Sequence, residues 1–218
     1  SKGYRPGGYN YREETNVLTP FKEETTDSYE FGYKYDANNY FIHTSIFYND
    51  IQNQRINTLD DNLATHTFNA DKSYSYGLES KIGYENDILD IYSTFGVIKA
   101  KIKEFNSNKE YEDKNIIDVP QATASLGVKY KIDNNLYFQT NLKYMGKRYY
   151  NLENSAFLAG LTTTDIELGY KNKDSKFSFY INNLFDKEYS DFMIATPSNN
   201  YYHFGKPRVV GVKFTRKF

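Results

Sequence analysis

ATASLGVKYKI, Ala122 to Ile132, decides the fold. Ala122, Ala124, Leu126, Val128, Tyr130 and Ile132 alternate with Thr123, Ser125, Gly127, Lys129 and Lys131. A period of two is the period of a β-strand, whose successive side chains leave on opposite faces. The segment therefore has one oily side and one wet side. The same reading applies to Tyr29–Phe31–Tyr33–Tyr35, to Tyr76–Leu78–Ile82–Tyr84 and to Leu136–Phe138–Leu142–Tyr144, each with polar residues or glycine between. It applies again to Ile166–Leu168–Tyr170, Phe177–Phe179–Ile181 and Val210–Val212–Phe214. Two runs are mixed: 40–56, where Phe41 and Phe47 compete with Ile42 and Ile46, and 88–104.

Ten strands are predicted at about 2–10, 24–37, 39–56, 72–86, 88–104, 120–133, 135–150, 161–172, 175–188 and 202–218. Tight turns at Ala37-Asn38-Asn39, Asn86-Asp87, Asp133-Asn134-Asn135 and Asn172-Lys173-Asp174 use residues that tolerate left-handed backbone. Long polar loops, 11–23, 57–71, 105–119, 151–160 and 189–201, separate the other pairs. Short turns at one rim and long loops at the other, with strands longer than the 9–11 residues needed to cross a bilayer, describe an all-β, antiparallel transmembrane β-barrel. A soluble β-sandwich also alternates, but its strands are usually about five or six residues long.

Composition narrows the function. The 218 residues carry 27 basic and 28 acidic side chains, which gives no basic excess for nucleic acid. There is no cysteine, hence no disulfide, thiolate metal site or cysteine nucleophile. The 23 tyrosines and 16 phenylalanines suit strands and membrane interfaces. No stretch approaches the roughly 18 consecutive apolar residues of a spanning helix. Low mean hydropathy does not contradict a barrel, because only alternate residues meet lipid.

Three stretches carry a resemblance: SKGYRPGGYN (Ser1 to Asn10), NNLFDKEY (Asn182 to Tyr189) and FGKPRVVGVKFTRKF (Phe204 to Phe218). In this order they resemble the C-terminal half of TonB-dependent outer-membrane receptors, in particular the ferric-siderophore receptor group. Val119-Pro120, SYGLE (Ser75 to Glu79) and the strand around Tyr29-Glu30-Phe31-Gly32 are lesser matches. The resemblance implies that residues 1–218 form the last ten or so strands of a 22-stranded barrel. The plug and the energy-coupling box would precede Ser1. It further implies residence in the cell outer membrane, lipid around the barrel, a TonB complex acting through the plug, and a ferric siderophore or related chelate as ligand. No cofactor is implied. One departure is Arg216, where the family's terminal strand usually has an aromatic. Near the interface an arginine costs only about 0–1 kcal/mol, and a residue two from the end can snorkel.

Candidate ligand contacts follow from chemistry. Arg pairs with carboxylate or catecholate oxygens and stacks on rings, which singles out Arg5 and Arg12 beside Tyr9 and Tyr11. Tyr201, Tyr202 and His203 form a second cluster before the last strand. A capped strand end and a solvated aromatic rim are the plain alternatives. His43, His66 and His203 have no metal-motif spacing. The adjacent acids Glu13-Glu14, Glu23-Glu24 and Asp60-Asp61 lack the shared geometry of acid–base catalysis. A free-standing ten-stranded outer-membrane hydrolase is the other reading, and it requires His66 or His203 within reach of an acid or serine at the strand tops. A passive porin needs more strands than ten.

Overall fold

The computed structural model describes the backbone of residues 1–12 and 17–217, with side chains for all of these but 11, 12 and 17. Glu13, Glu14 and Phe218, singled out in the sequence, lie outside the described residues, as do the side chains of Tyr11 and Arg12. The strands are β1 (Lys2–Arg5), β2 (Gly8–Arg12), β3 (Val17–Phe21), β4 (Glu24–Asp36), β5 (Tyr40–Leu59), β6 (Thr65–Glu85), β7 (Leu89–Glu104) and β8 (Ala122–Lys131). They continue with β9 (Leu136–Met145), β10 (Arg148–Tyr149), β11 (Phe157–Leu158), β12 (Leu161–Lys171), β13 (Ser175–Asn182), β14 (Ser190–Ala195), β15 (Asn200–Phe204) and β16 (Val209–Arg216).

Ten of them form one antiparallel meander in the order β1-β4-β5-β6-β7-β8-β9-β12-β13-β16. The number and order match the expectation from alternation. β1 and β16 are the two edges, so the sheet does not close on itself. The remaining strands make three small hairpins, β2–β3, β10–β11 and β14–β15, all at the long-loop end.

Several boundaries differ from expectation, each for a local reason. The first predicted strand breaks at Pro6-Gly7 into β1 and β2, because Pro6 donates no backbone hydrogen bond and a Cβ at residue 7 would lie 2.7 Å from the Phe21 carbonyl oxygen. The loop 57–71 contracts to a tip at 60–64, since β5 and β6 pair on as far as Leu59–Thr65. The ninth predicted strand ends at Asn182, where Asn183 and Asp186 take positive φ of 50°. Pro207 falls in the gap between β15 and β16 rather than within a strand, so it costs no ladder bond.

The short turns work differently from the expectation of left-handed backbone. None of their residues has positive φ. Instead, in three of the four, the turn side chain accepts from two following amides: Asn86 Oδ1 from Ile88 and Leu89, Asp133 Oδ1 from Asn135 and Leu136, and Asn172 Oδ1 from Asp174 and Ser175. These are Asx turns repeated along one rim.

Registry carries one parity across the whole sheet. Tyr35 pairs with Ile42, Ile42 with Ile82, Leu78 with Val97, Leu126 with Leu142, Leu168 with Phe179 and Phe179 with Val212, so every oily row joins the next. That face stays exposed, with Phe31 at 71% and Val212 at 66%. Tyrosines bound it. Tyr29, Tyr48 and Tyr76 lie in register toward the long loops, and Tyr40 pairs with Tyr84 beside the short turns. Tyr76 and Tyr84 are eight residues apart, roughly 27 Å along a strand, the scale of an apolar band between aromatic girdles. Within it, Thr44 and Ser80 hydrogen-bond to each other at 2.9 Å instead of facing lipid unpaired. Arg216 lies on this face opposite Ser175, one residue from a short turn, the interfacial position expected for it.

The other face is polar and curves round a cavity of about 380 Å³ lined by Glu30, Lys34, His43, Glu79 and Lys81 among others. It also settles the mixed runs. Phe47 lies over Gly77, Phe41 over Gly83, Tyr92 over Gly127, Tyr137 over Gly169 and Tyr180 over Gly211, each pair directly cross-strand. The inward aromatics of 40–56 and 88–104 are therefore ring-on-glycine pairs, while Ile42, Ile46, Ile91, Phe95 and Val97 face outward. The glycine leaves a slot for the ring in a wall otherwise built of charged side chains. Lys143–Asp165 at 3.0 Å, Lys176–Glu167 at 3.0 Å and Lys131–Asp90 at 2.6 Å pair on this wall, and the Tyr137 hydroxyl donates to Glu167.

Candidate functional site

The long-loop end is not a set of loose polar loops. Ile56, Ala70, Ala100, Ile102, Phe105, Ile116 and Leu152 form a buried cluster that joins the β5–β6–β7 extension to the loops after β7 and β10. A second cluster, Tyr150, Ala156 and Met193, joins the β10–β11 and β14–β15 hairpins. Apolar residues inside loops read as polar were the missed signal, since they match no strand period and show their use only when loops meet.

Asparagine side chains fasten the assembly. A primary amide offers a donor and an acceptor side by side, so it can pair with one residue's backbone as a strand neighbour would. Asn10 donates to the Thr67 carbonyl and accepts from the Thr67 amide, both at 2.8 Å. Asn69 does the same with Lys22, Asn154 with Asn115, and Asn183 with Lys187. Asn183 also reaches the Lys206 carbonyl, and Asp186 accepts from the Arg208 amide at 2.8 Å. Gly205 packs under the Tyr189 ring. Thus the NNLFDKEY and FGKPR stretches pack against each other at the base of the β14–β15 hairpin.

The tip of that hairpin crosses to β5–β6. Ser198 donates to Asp61 through its amide at 3.0 Å and its hydroxyl at 2.8 Å. These bonds hold the Asp61 carboxyl below the ordinary aspartate range. A depressed carboxylate contributes stability above its unfolded pKa and loses it as pH falls through the folded one. The amide of Ser198 is therefore expected to be protected from hydrogen exchange at pH 7 and pH 5 and to lose protection only below the ordinary carboxylate range. Asp61→Ala is expected to lose it at every pH; full protection in that variant would show that something else holds the tip.

The six candidate residues fall in two groups that no hydrogen bond or ion pair connects among the described residues. Arg5 pairs with Glu24 at 3.6 Å, so its charge is already countered at the foot of the β2–β3 hairpin. Tyr9 is 67% exposed on β2. Arg12 ends that strand. On β15, Tyr201 and His203 share one face and Tyr202 takes the other, so the trio does not present a single surface. His203 Nδ1 lies 2.6 Å from Asp191 Oδ1, which holds the Asp191 carboxyl low. Tyr202 pairs with Met193, beside the second cluster. Burial pushes the nearby Tyr150 hydroxyl up to about 12, so it stays neutral. A larger cavity, about 600 Å³, opens between the β2–β3 hairpin and β6, lined by Asn10, Phe21, His66, Phe68, Asn69 and Asn106 among others.

The histidines test the hydrolase reading. His66 and His203 each have an aspartate partner, Asp60 at 3.0 Å and Asp191. No histidine is hydrogen-bonded to a hydroxyl among the described residues, and Ser198 gives its proton to Asp61 instead. Nor do three metal-ligating side chains converge among the described residues.

A family model described as TonB dependent receptor-like, beta-barrel matches residues 1–184. The chain belongs to this TonB-dependent receptor family. The pesticin receptor of Yersinia pestis is 25% identical over 224 residues, covering 97% of this chain and 32% of that receptor. Among solved structures, the ferric yersiniabactin uptake receptor FyuA from Yersinia pestis superposes with a TM-score of 0.82 at 22% identity, covering 98% of this chain and 33% of that one. The siderophore receptor PiuA from Acinetobacter baumannii gives 0.73 at 21%, covering 98% and 32%. The chain thus spans about a third of the length of the relatives it matches. The expected fold class, the antiparallel sheet of a transmembrane β-barrel, holds, with the barrel open at β1 and β16. These relatives are receptors rather than enzymes. In a TonB-dependent receptor barrel the clustered loops form one rim of a polar-lined wall.

Proposed function

We propose that this chain supplies the C-terminal strands of an outer-membrane receptor that takes up a ferric siderophore or a related metal chelate, powered by the TonB complex acting on a plug. The observation that carries this reading is the rim. Loops from five strand pairs are fastened by buried clusters and side-chain clips into one surface above a charged, concave wall, in a chain of this family. Such a rim offers an anionic, ring-bearing chelate exposed tyrosines and nearby cations. Tyr9, Tyr201 and His203 would meet the ligand, with Arg12 supplying positive charge, while Arg5, paired to Glu24, holds the foot of the β2–β3 hairpin and Tyr202 backs the site from the other face of β15. The Lys, Asp and Glu side chains of the wall would hold the plug by hydrogen bonds.

The test is uptake of radiolabelled iron presented as defined catecholate, hydroxamate and phenolate chelates, in a strain deleted for the receptor and complemented with it. One chelate class is expected to depend on the receptor. For that chelate, Tyr201→Ala is expected to weaken binding roughly tenfold, about 1.4 kcal/mol, with unchanged receptor abundance, whereas Tyr202→Ala, on the opposite face of β15, is expected to leave binding within about twofold. Uptake of every chelate at the level of the deleted strain would sink the reading.

A further inference from the structure

The long-loop end of β7 carries a feature that neither the sheet nor the rim requires. Lys99, Lys101 and Lys103 recur at alternate positions between Ile98, Ala100, Ile102 and Glu104. Ala100 and Ile102 are buried in the loop cluster, so strand alternation sends Lys99 and Lys101 to the face that carries Phe95 and Val97. Lys103 is the extra residue of a bulge between the Ser73–Ile102 and Lys72–Glu104 pairs, and it is exposed.

The ladder begins where the apolar band ends. Lys99 is paired with Tyr76, the tyrosine in register with Tyr29 and Tyr48, and its Nζ lies 6.0 Å over the Tyr76 ring. Lys101 is paired with Tyr74, whose ring stacks on Tyr76 at 6.1 Å. None of the three lysines has a carboxylate at ion-pair distance among the described residues. The adjacent Glu104 is taken by Lys72 at 2.9 Å. On the polar wall, by contrast, Lys143 pairs with Asp165 and Lys176 with Glu167.

We propose that this ladder binds the phosphate groups of lipid headgroups in the leaflet that surrounds the long-loop end. Three ammonium groups on flexible stems rise from an apolar band to the level of the headgroups, where an anion supplies the missing countercharge. Alternate strand residues are about 6.7 Å apart, a spacing that suits separate phosphates along a leaflet better than the oxygens of one. The stacked tyrosines beside them give the upper acyl carbons an amphipathic wall. This assignment rests on the outer-membrane placement proposed above, and the experiment separates the two.

Full-length receptor is placed in nanodiscs of phosphatidylethanolamine and titrated with bis-phosphorylated lipid A, and bound lipid is counted by native mass spectrometry. A lysine near a charged surface is worth roughly fivefold in binding, so the triple variant Lys99→Gln, Lys101→Gln, Lys103→Gln is expected to bind about a hundredfold more weakly. The triple Lys→Arg variant is expected to bind like wild type. Equal binding by the Gln variant overturns the assignment. So does equal binding of dephosphorylated lipid A by the wild-type receptor, a comparison that needs no variant to fold. Fractionation of cells addresses the placement separately: a receptor absent from the outer membrane overturns the placement and the lipid site with it, whereas a receptor present there with phosphate-independent binding overturns the site alone.

Discussion

Ile46→Arg is expected to destabilise the full-length receptor by about 2–4 kcal/mol in a lipid bilayer, whereas Ser45→Arg, one residue away, stays within about 0.5 kcal/mol. Ile46 is 52% exposed on the oily face, in register with Phe31 and Leu78, between the tyrosine rows marked by Tyr40 and Tyr48. A guanidinium there has no water and no carboxylate, and its side chain cannot reach either interface without deforming the lipid. Ser45 faces the polar wall opposite Gly32 and Glu79, beside Glu30 and Lys34. An arginine there meets carboxylates and water. The measurement is guanidinium unfolding in phosphatidylcholine vesicles followed by far-ultraviolet circular dichroism. Equal costs at 45 and 46 would mean that this face does not meet hydrocarbon, and the barrel reading would fail.

The second large effect concerns the ring-on-glycine pairs. Gly77→Ala is expected to cost about 1–3 kcal/mol, in the range of overpacking, because a Cβ there would lie 2.3 Å from the Val97 carbonyl oxygen and 2.8 Å from the Phe47 ring. At Gly83 the three atoms nearest an added Cβ all belong to the Phe41 ring, the first at 2.1 Å, and none is backbone. The two sites therefore differ in what can relieve them. Trimming Phe41 to Ala should remove the obstruction at Gly83, giving a double-mutant coupling of at least about 1 kcal/mol. Trimming Phe47 leaves the Val97 backbone in place, so Gly77→Ala remains damaging. Rescue at both sites, or at neither, would show that the rings do not decide the cost.

Clean alternation made most of the sheet legible. From Ala122 to Ile132 and in the strands after it, each residue type agrees with its face, and the parity set there runs through every ladder to β16. Position 40–56 was mixed because aromatic residues serve both faces. Phe41 and Phe47 are inward, and only their cross-strand glycines reveal it. The short turns were legible in place and residue type but not in mechanism, because Asn and Asp support both left-handed backbone and side-chain-accepted turns. The candidate contacts were found by chemistry alone. Sequence neighbours such as Tyr201 and Tyr202 share that chemistry, but the strand sends them to opposite faces.

By itself the sequence determined a two-faced strand, its repetition ten times, the rim that holds short turns and the family to which the chain belongs. The strand and its repetition follow from local covalent geometry, since a period of two allows little else; the family follows from the resemblance of three stretches, Ser1 to Asn10, Asn182 to Tyr189 and Phe204 to Phe218. Only the tertiary structure decided how the loops pack into one rim, that Ser198 meets Asp61, that asparagine amides clip loops to neighbouring backbone, and that three lysines emerge unpaired above the apolar band. Those depend on which distant residues meet, and a loop without periodicity leaves no trace of its partner in its own order of residues.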